Sequence, residues 1–151
     1  MLVRDLMLRR VASVPENSNF SHVAEVLGLT GLNDLIFVNE GKMVGTISDG
    51  DVLRALMPDL EELHQKNISY KELNAHFIQL LNSSIHKPIK PFIVREPIIL
   101  HPQDTIIKAV TIMLNKGIIR LPVVEGGICV GVIGRADINW SLAMANKIEN
   151  K

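Results

Sequence analysis

Cysteine, aromatic residues and net charge are what this chain has least of. Among 151 residues there is one cysteine, Cys129, so an internal disulfide and a multi-cysteine metal site are both excluded. Cys129 sits in the apolar stretch Ile128–Val130 and reads as a buried thiol. Aromatics make up 4% of the residues, yet hydrophobic residues reach 47% and the mean hydropathy is +0.22. The apolar content is therefore mainly Ile, Val, Leu and Met, the composition of buried strands covered by helices, which points to α/β packing. Sixteen basic residues balance sixteen acidic ones, without a long run of either sign. A groove that tracks phosphates is not expected, and neither is a nucleic-acid partner; near-zero net charge is compatible with self-association. No stretch approaches the roughly 18 apolar residues of a membrane span. Arg4 and Asp5 interrupt the start of the chain before a signal-peptide core could form, so a cytoplasmic protein off the membrane is expected.

What is present is a repeat. Shifting the sequence by 86 residues places Gly31 on Gly117, Val38 on Val124, Gly41 on Gly127, Val44 on Val130, Gly45 on Gly131, Ile47 on Ile133 and Asp51 on Asp137, with no gap from Asn19 to Met57. Each copy reads as an extended segment, a helix, two strands around a tight turn, and a second helix. In the first copy these are Val11–Val14, Asn19–Leu29, Leu35–Val38, Met43–Ile47 and Asp49–Met57, stopped by Pro58. In the second they are Ile98–His101, Thr105–Lys116, Leu121–Val124, Ile128–Ile133 and Arg135 to about Lys147. Apolar residues at helical spacing, Phe20, Val23, Ala24 and Leu27, echoed by Ile106, Ala109, Val110 and Met113, predict that both first helices bury one face. Between the copies, Asp59–Ile85 carries periodic apolar residues and predicts one or two amphipathic helices. The expected organisation is a first unit over 1–58, a helical insertion over 59–87 and a second unit over 88–151.

The segment richest in chemistry is Gly45-Thr46-Ile47-Ser48-Asp49-Gly50-Asp51, a strand running directly into a helix, with Gly131–Asp137 as its counterpart. Free N–H groups at such a junction suit an anion. Ser48 and Asp51 offer acceptors about one helical turn apart, and a carboxylate can accept both hydroxyls of a ribose diol. The same spacing also makes a capping box, which needs no ligand, and spacing alone leaves both roles open.

This motif and the duplicated β-α-β-β-α order resemble the cystathionine-beta-synthase (CBS) domain pair, or Bateman module. Val3–Met7, Pro97–Pro102 and Asn115–Val124 match the same pattern. The resemblance implies an α+β fold of tandem repeats packed as a pseudo-two-fold pair, and a regulatory module without catalysis. It also implies that AMP, ADP, ATP or S-adenosylmethionine binds in a cleft between the units. Carried onto this chain, it places Ser48 and Asp51 at the ribose, Ile98, Ile99 and Pro122 at the adenine, and Arg120 at a phosphate, with Thr46 and Ile47 also in the ligand-binding set. The reciprocal cleft would pair Asp137 with Val11, Ala12 and Ile36, but Gly134 stands for Ser48, Ile36 for Pro122 and Asp34 for Arg120. One working site is expected, the second being empty or holding an uncharged ligand.

The remaining candidates are weaker. His64, His76 and His86 lack the spacing of a metal site and, like His22 and His101, read as solvated residues. Asp49 and Asp51 have no partner for acid–base catalysis, and no nucleophile–base order or phosphate-binding glycine loop is present. Trp140 aligns with Arg54, and an aromatic in that place predicts a homodimer contact, with core packing as the alternative. Two functions follow: an adenosyl-ligand sensor acting on a separate effector protein, or a ligand-independent interaction scaffold.

Overall fold

A computed structural model describes residues 1–57 and 59–148; Pro58, the expected stop of the first unit's second helix, lies outside the described residues. The chain is an α+β pair of repeats. Its elements are α1 (Val3–Leu6), β1 (Ser13–Pro15), α2 (Phe20–Thr30), β2 (Asp34–Asn39), β3 (Lys42–Ser48) and α3 (Asp49–Leu56). Two insertion helices follow, α4 (Leu60–Gln65) and α5 (Tyr70–Ser84), then a 3-10 turn (Lys90–Phe92), α6 (Ile106–Lys116), β4 (Arg120–Glu125), β5 (Ile128–Gly134) and α7 (Arg135–Ile148). The extended segment expected at Ile98–His101 is reduced to one parallel bridge, Leu100 to Val123.

The local chemistry repeats with the sequence. Asn19 caps α2 and Thr105 caps α6, each side chain accepting an N–H from the first turn. Both hairpins close on two residues with positive φ, Glu40 (49°) and Gly41 (77°) in one, Gly126 (58°) and Gly127 (79°) in the other. That geometry matches the right-handed twist of paired strands. On α2, Phe20 and Val23 are buried and Val26 and Leu27 pack beside them, whereas Ala24 faces out.

The segment ahead of each unit does not stay with it. Leu8 pairs with Val132 on β5, and its counterpart Val94 pairs with Thr46 on β3. Ile89 N–H donates to Ser18 O at 3.0 Å, and Val3 N–H donates to Asp104 O at 2.8 Å. Side chains follow the backbone: Val3 and Met7 are buried with Leu100, Met113, Leu121 and Ile133, while Ile89 and Ile93 are buried with Val14, Phe37, Ile47 and Val52. Each core is thus completed by the lead-in of the other unit. The duplicated glycines Gly45 and Gly131 stand where these strands cross. A Cβ on Gly45 would overlap the Val94 carbonyl and Ile93, and one on Gly131 would lie 2.8 Å from Met7 Sδ and 2.9 Å from Leu8 O.

The insertion breaks the symmetry by adding mass to the first unit, where Phe77 and Leu81 of α5 pack on its core. Trp140 on α7 is 66% exposed, which removes core packing as its role. No helix among the described residues is long and apolar enough to cross a membrane.

Candidate functional site

Where β3 runs into α3, Ser48 is the N-cap, and its hydroxyl accepts the Asp51 N–H at 3.0 Å. Asp51 reciprocates by accepting the Ser48 N–H at 3.3 Å, and its other oxygen accepts Arg54 Nη2 at 2.6 Å. The Arg54 guanidinium, followed by the bonds from Ser48, holds the Asp51 carboxyl below the usual aspartate range, so it is an anion at neutral pH. The capping box is therefore formed, and the residues that form it remain partly open to solvent.

This corner opens on a cavity of about 320 Å³ between the units. Thr46, Ile47, Ser48 and Asp51 line it from the first unit, and Ile98, Arg120 and Pro122 from the second. Such a volume lies at the lower end of the about 300–1,000 Å³ of small-molecule sites. Ile99 lies outside it, lining a neighbouring hollow with Met43, Gly45 and Val124. Five lining residues that the motif did not single out are Val94, Glu96, Pro97, Ile118 and Leu121. Val94 enters through the strand exchange, which a repeat search does not display.

Asp34 also lines this cavity, although the repeat assigned it to the reciprocal cleft. Its place follows from register: Asp34 opposes Ser48 across the β2–β3 ladder, at the start of its strand, where it lines both clefts. Arg120, its counterpart by the 86-residue shift, likewise lines both. Asp34 is half-buried, and its Oδ1 has no hydrogen-bond partner. Burial pushes its carboxyl above the usual aspartate range, partly countered by the charge of Arg120 and reinforced by Asp49.

One expectation is corrected. The N–H groups at the start of α3 are not free for an anion, because the chain satisfies them itself. Asp49 N–H donates to Asn33 O at 2.9 Å, Gly50 N–H to Asp49 Oδ1 at 2.7 Å, and Asp51 N–H to Ser48 Oγ. Asp49 and Asp51 also make the first turn acidic.

The reciprocal cleft is a hollow of about 210 Å³ that includes Val11, Ala12 and Ile36 with Asp34 and Arg120. Asp137 does not line it; its Oδ2 accepts the Gly134 N–H at 2.7 Å and serves the helix. Arg135, in the place of Asp49, reaches away to the carbonyls of Ile118 and Met113 at the end of α6. Cys129 is half-buried, and desolvation raises its thiol above the ordinary value. No cluster of three potential metal ligands is present among the described residues.

Comparison with known proteins agrees with the repeat. The uncharacterized protein MJ1426 of Methanocaldococcus jannaschii is 25% identical over 153 aligned positions, covering 91% of this chain and 89% of the relative. Among solved structures, the CBS domain pair of protein MJ0100, in complex with 5′-methylthioadenosine and S-adenosyl-L-methionine, superimposes with a TM-score of 0.69. Its sequence is 22% identical, with 96% of this chain and 98% of the other covered. The protein CBSX2 in complex with AMP gives a TM-score of 0.72 at 19% identity, with 96% and 98% covered. The model of the CBS domain matches residues 3–58 and again 89–143. With both halves of the repeat matched, the chain belongs to the CBS domain family.

Proposed function

We propose that this chain is a regulatory module that binds an adenosine derivative in the larger cavity and signals by a change in the arrangement of its two units. The observation that carries the reading is convergence: Ser48, Asp51, Thr46 and Ile47 from one unit meet Ile98, Arg120 and Pro122 from the other around a single hollow. Ionised Asp51 accepts the ribose hydroxyls while Ile98 and Pro122 flank the base. Recruiting Asp51 costs little, because the Arg54 side chain it would release is 73% exposed and such ion pairs are worth about 0–1 kcal/mol. The relatives solved with 5′-methylthioadenosine, S-adenosylmethionine and AMP support the ligand class. A ligand held by both units acts only through a difference in affinity between two arrangements, so the output is a population shift read by a separate effector protein.

A second reading has one observation in its favour. The capping box engages both Ser48 and Asp51 without a ligand, which suits a scaffold that binds no nucleotide. A thermal-shift series across adenosine, AMP, ADP, ATP, S-adenosylmethionine and NAD separates the two. The sensor predicts a rise in Tm with at least one adenosyl ligand and its loss in Asp51→Ala; a wild-type Tm unmoved by all six favours the scaffold.

The expected homodimer rests on Trp140, which presents a large apolar surface on α7. Sedimentation velocity should find a dimer for the natural chain and a monomer for Trp140→Glu. A natural chain that sediments as a monomer removes this assignment.

A further inference from the structure

The larger cavity is charged against phosphate. Its walls carry three carboxylates, Asp34, Asp51 and Glu96, and one guanidinium, Arg120. Asp51 is neutralised by Arg54, and Glu96 is exposed to solvent, which screens it. Asp34 has less relief, chiefly the more distant charge of Arg120. It is half-buried beside the Ser48 corner, no ion pair within 4.0 Å reaches it among the described residues, and its Oδ1 is buried without a hydrogen-bond partner. A carboxylate shares its charge between both oxygens, so the field of Asp34 is felt in the hollow it lines.

The usual attraction for an anion at this place is also absent. The first three N–H groups of α3 are taken by Asn33, Asp49 and Ser48, and Asp49 and Asp51 add negative charge to the first turn. Arg120 is divided as well, since it lines both clefts and Asp34 stands close enough to feel its charge in each. An unsatisfied carboxylate rewards a donor or a cation and penalises a second anion, which is discrimination by repulsion as much as by attraction.

We propose that Asp34 is a specificity-determining residue of this cavity, selecting adenosyl ligands whose 5′ substituent is uncharged or cationic and rejecting those that carry phosphate. The inference rests on the adenosyl reading above and adds to it the charge of the ligand. Arg120 then serves mainly to make the Asp34 carboxylate tolerable, and to join the two clefts electrostatically.

Isothermal titration of the full chain and of Asp34→Asn tests this with four probes at one ionic strength: S-adenosylmethionine, 5′-methylthioadenosine, AMP and ATP. The natural chain should bind the first two at least about tenfold more tightly than the last two. Asp34→Asn should narrow that gap about tenfold, chiefly by tightening AMP and ATP, with an unchanged circular-dichroism spectrum establishing that it folds. Equal affinity for ATP and 5′-methylthioadenosine in the natural chain overturns the inference, as does an equal change for all four probes in Asp34→Asn. Absence of heat with every probe overturns the adenosyl reading itself; binding without charge discrimination overturns only the role of Asp34.

Discussion

Residues 46–51 and 132–137 build one corner twice, and the two corners keep the same backbone while parting in their side chains. Asp49 N–H reaches Asn33 O at 2.9 Å, and Arg135 N–H reaches Ile119 O at 3.0 Å. Asp51 and Asp137 each accept the N–H three residues earlier. Yet Ser48 against Gly134, and Asp49 against Arg135, leave one corner facing a hollow of about 320 Å³ and the other serving its own helix. Duplication preserves what the fold requires of a corner. In the proposed reading, ligand chemistry is an additional demand that the Ser48 corner alone meets.

The strongest way to break this comparison is at the crossings, where the two copies should respond alike in kind and unlike in degree. Gly45→Ala sets a methyl against the Val94 carbonyl, a backbone atom that cannot turn aside, and should destabilise by about 3 kcal/mol in urea unfolding. Gly131→Ala meets the flexible Met7 thioether first and the Leu8 carbonyl second, and should cost about 1–2 kcal/mol. Equal costs would mean that the strand crossings are more alike than their contacts indicate.

Ligand binding offers a sharper contrast. Ala12 and Ile98 are equivalent under the 86-residue shift, one lining each cleft. Ile98→Arg should weaken the tightest adenosyl ligand about 100-fold, or about 2.7 kcal/mol, while Ala12→Arg should change it less than about twofold. Similar losses from both would show two working sites.

The smallest effect concerns pH. Burial raises Asp34 above its unfolded value, so the folded chain holds that proton more tightly than the unfolded chain does. Stability therefore falls as pH rises from the ordinary aspartate value through the raised one, and the penalty persists above it. Asp34→Asn should remove this slope and stabilise the chain near neutral pH by on the order of 1 kcal/mol. A steeper slope in the variant would contradict the assignment.

Much of the architecture was readable from the 86-residue shift, because turn glycines and core residues repeat along the chain. Both hairpins and all four repeat helices follow from it, the helical insertion follows from its own apolar periodicity, and seven of the eight residues that the family resemblance assigns to the ligand line the Ser48 corner's cavity, Ile99 being the exception. The strand exchange was not readable. Leu8 pairs with Val132 and Val94 with Thr46, partners in the opposite copy, and periodicity carries no information about which copy a strand joins. Asp34 was placed in the reciprocal cleft alone for a related reason: the shift makes it the mirror of Arg120 and does not show that it lines both clefts. The anion site at α3 failed because spacing identifies the cap but not the carbonyl of Asn33 that takes the first N–H.

The crossing lead-ins also govern the order in which the molecule is completed during synthesis. The first core lacks Ile89 and Ile93 until residues beyond the insertion have left the ribosome, whereas Val3 and Met7 emerge first and wait longest for the second core to surround them. The first core can therefore close once Ile93 is out, whereas the second waits for Ile133 on β5. Closure of each core depends on contacts distant in the chain, a topology that slows folding.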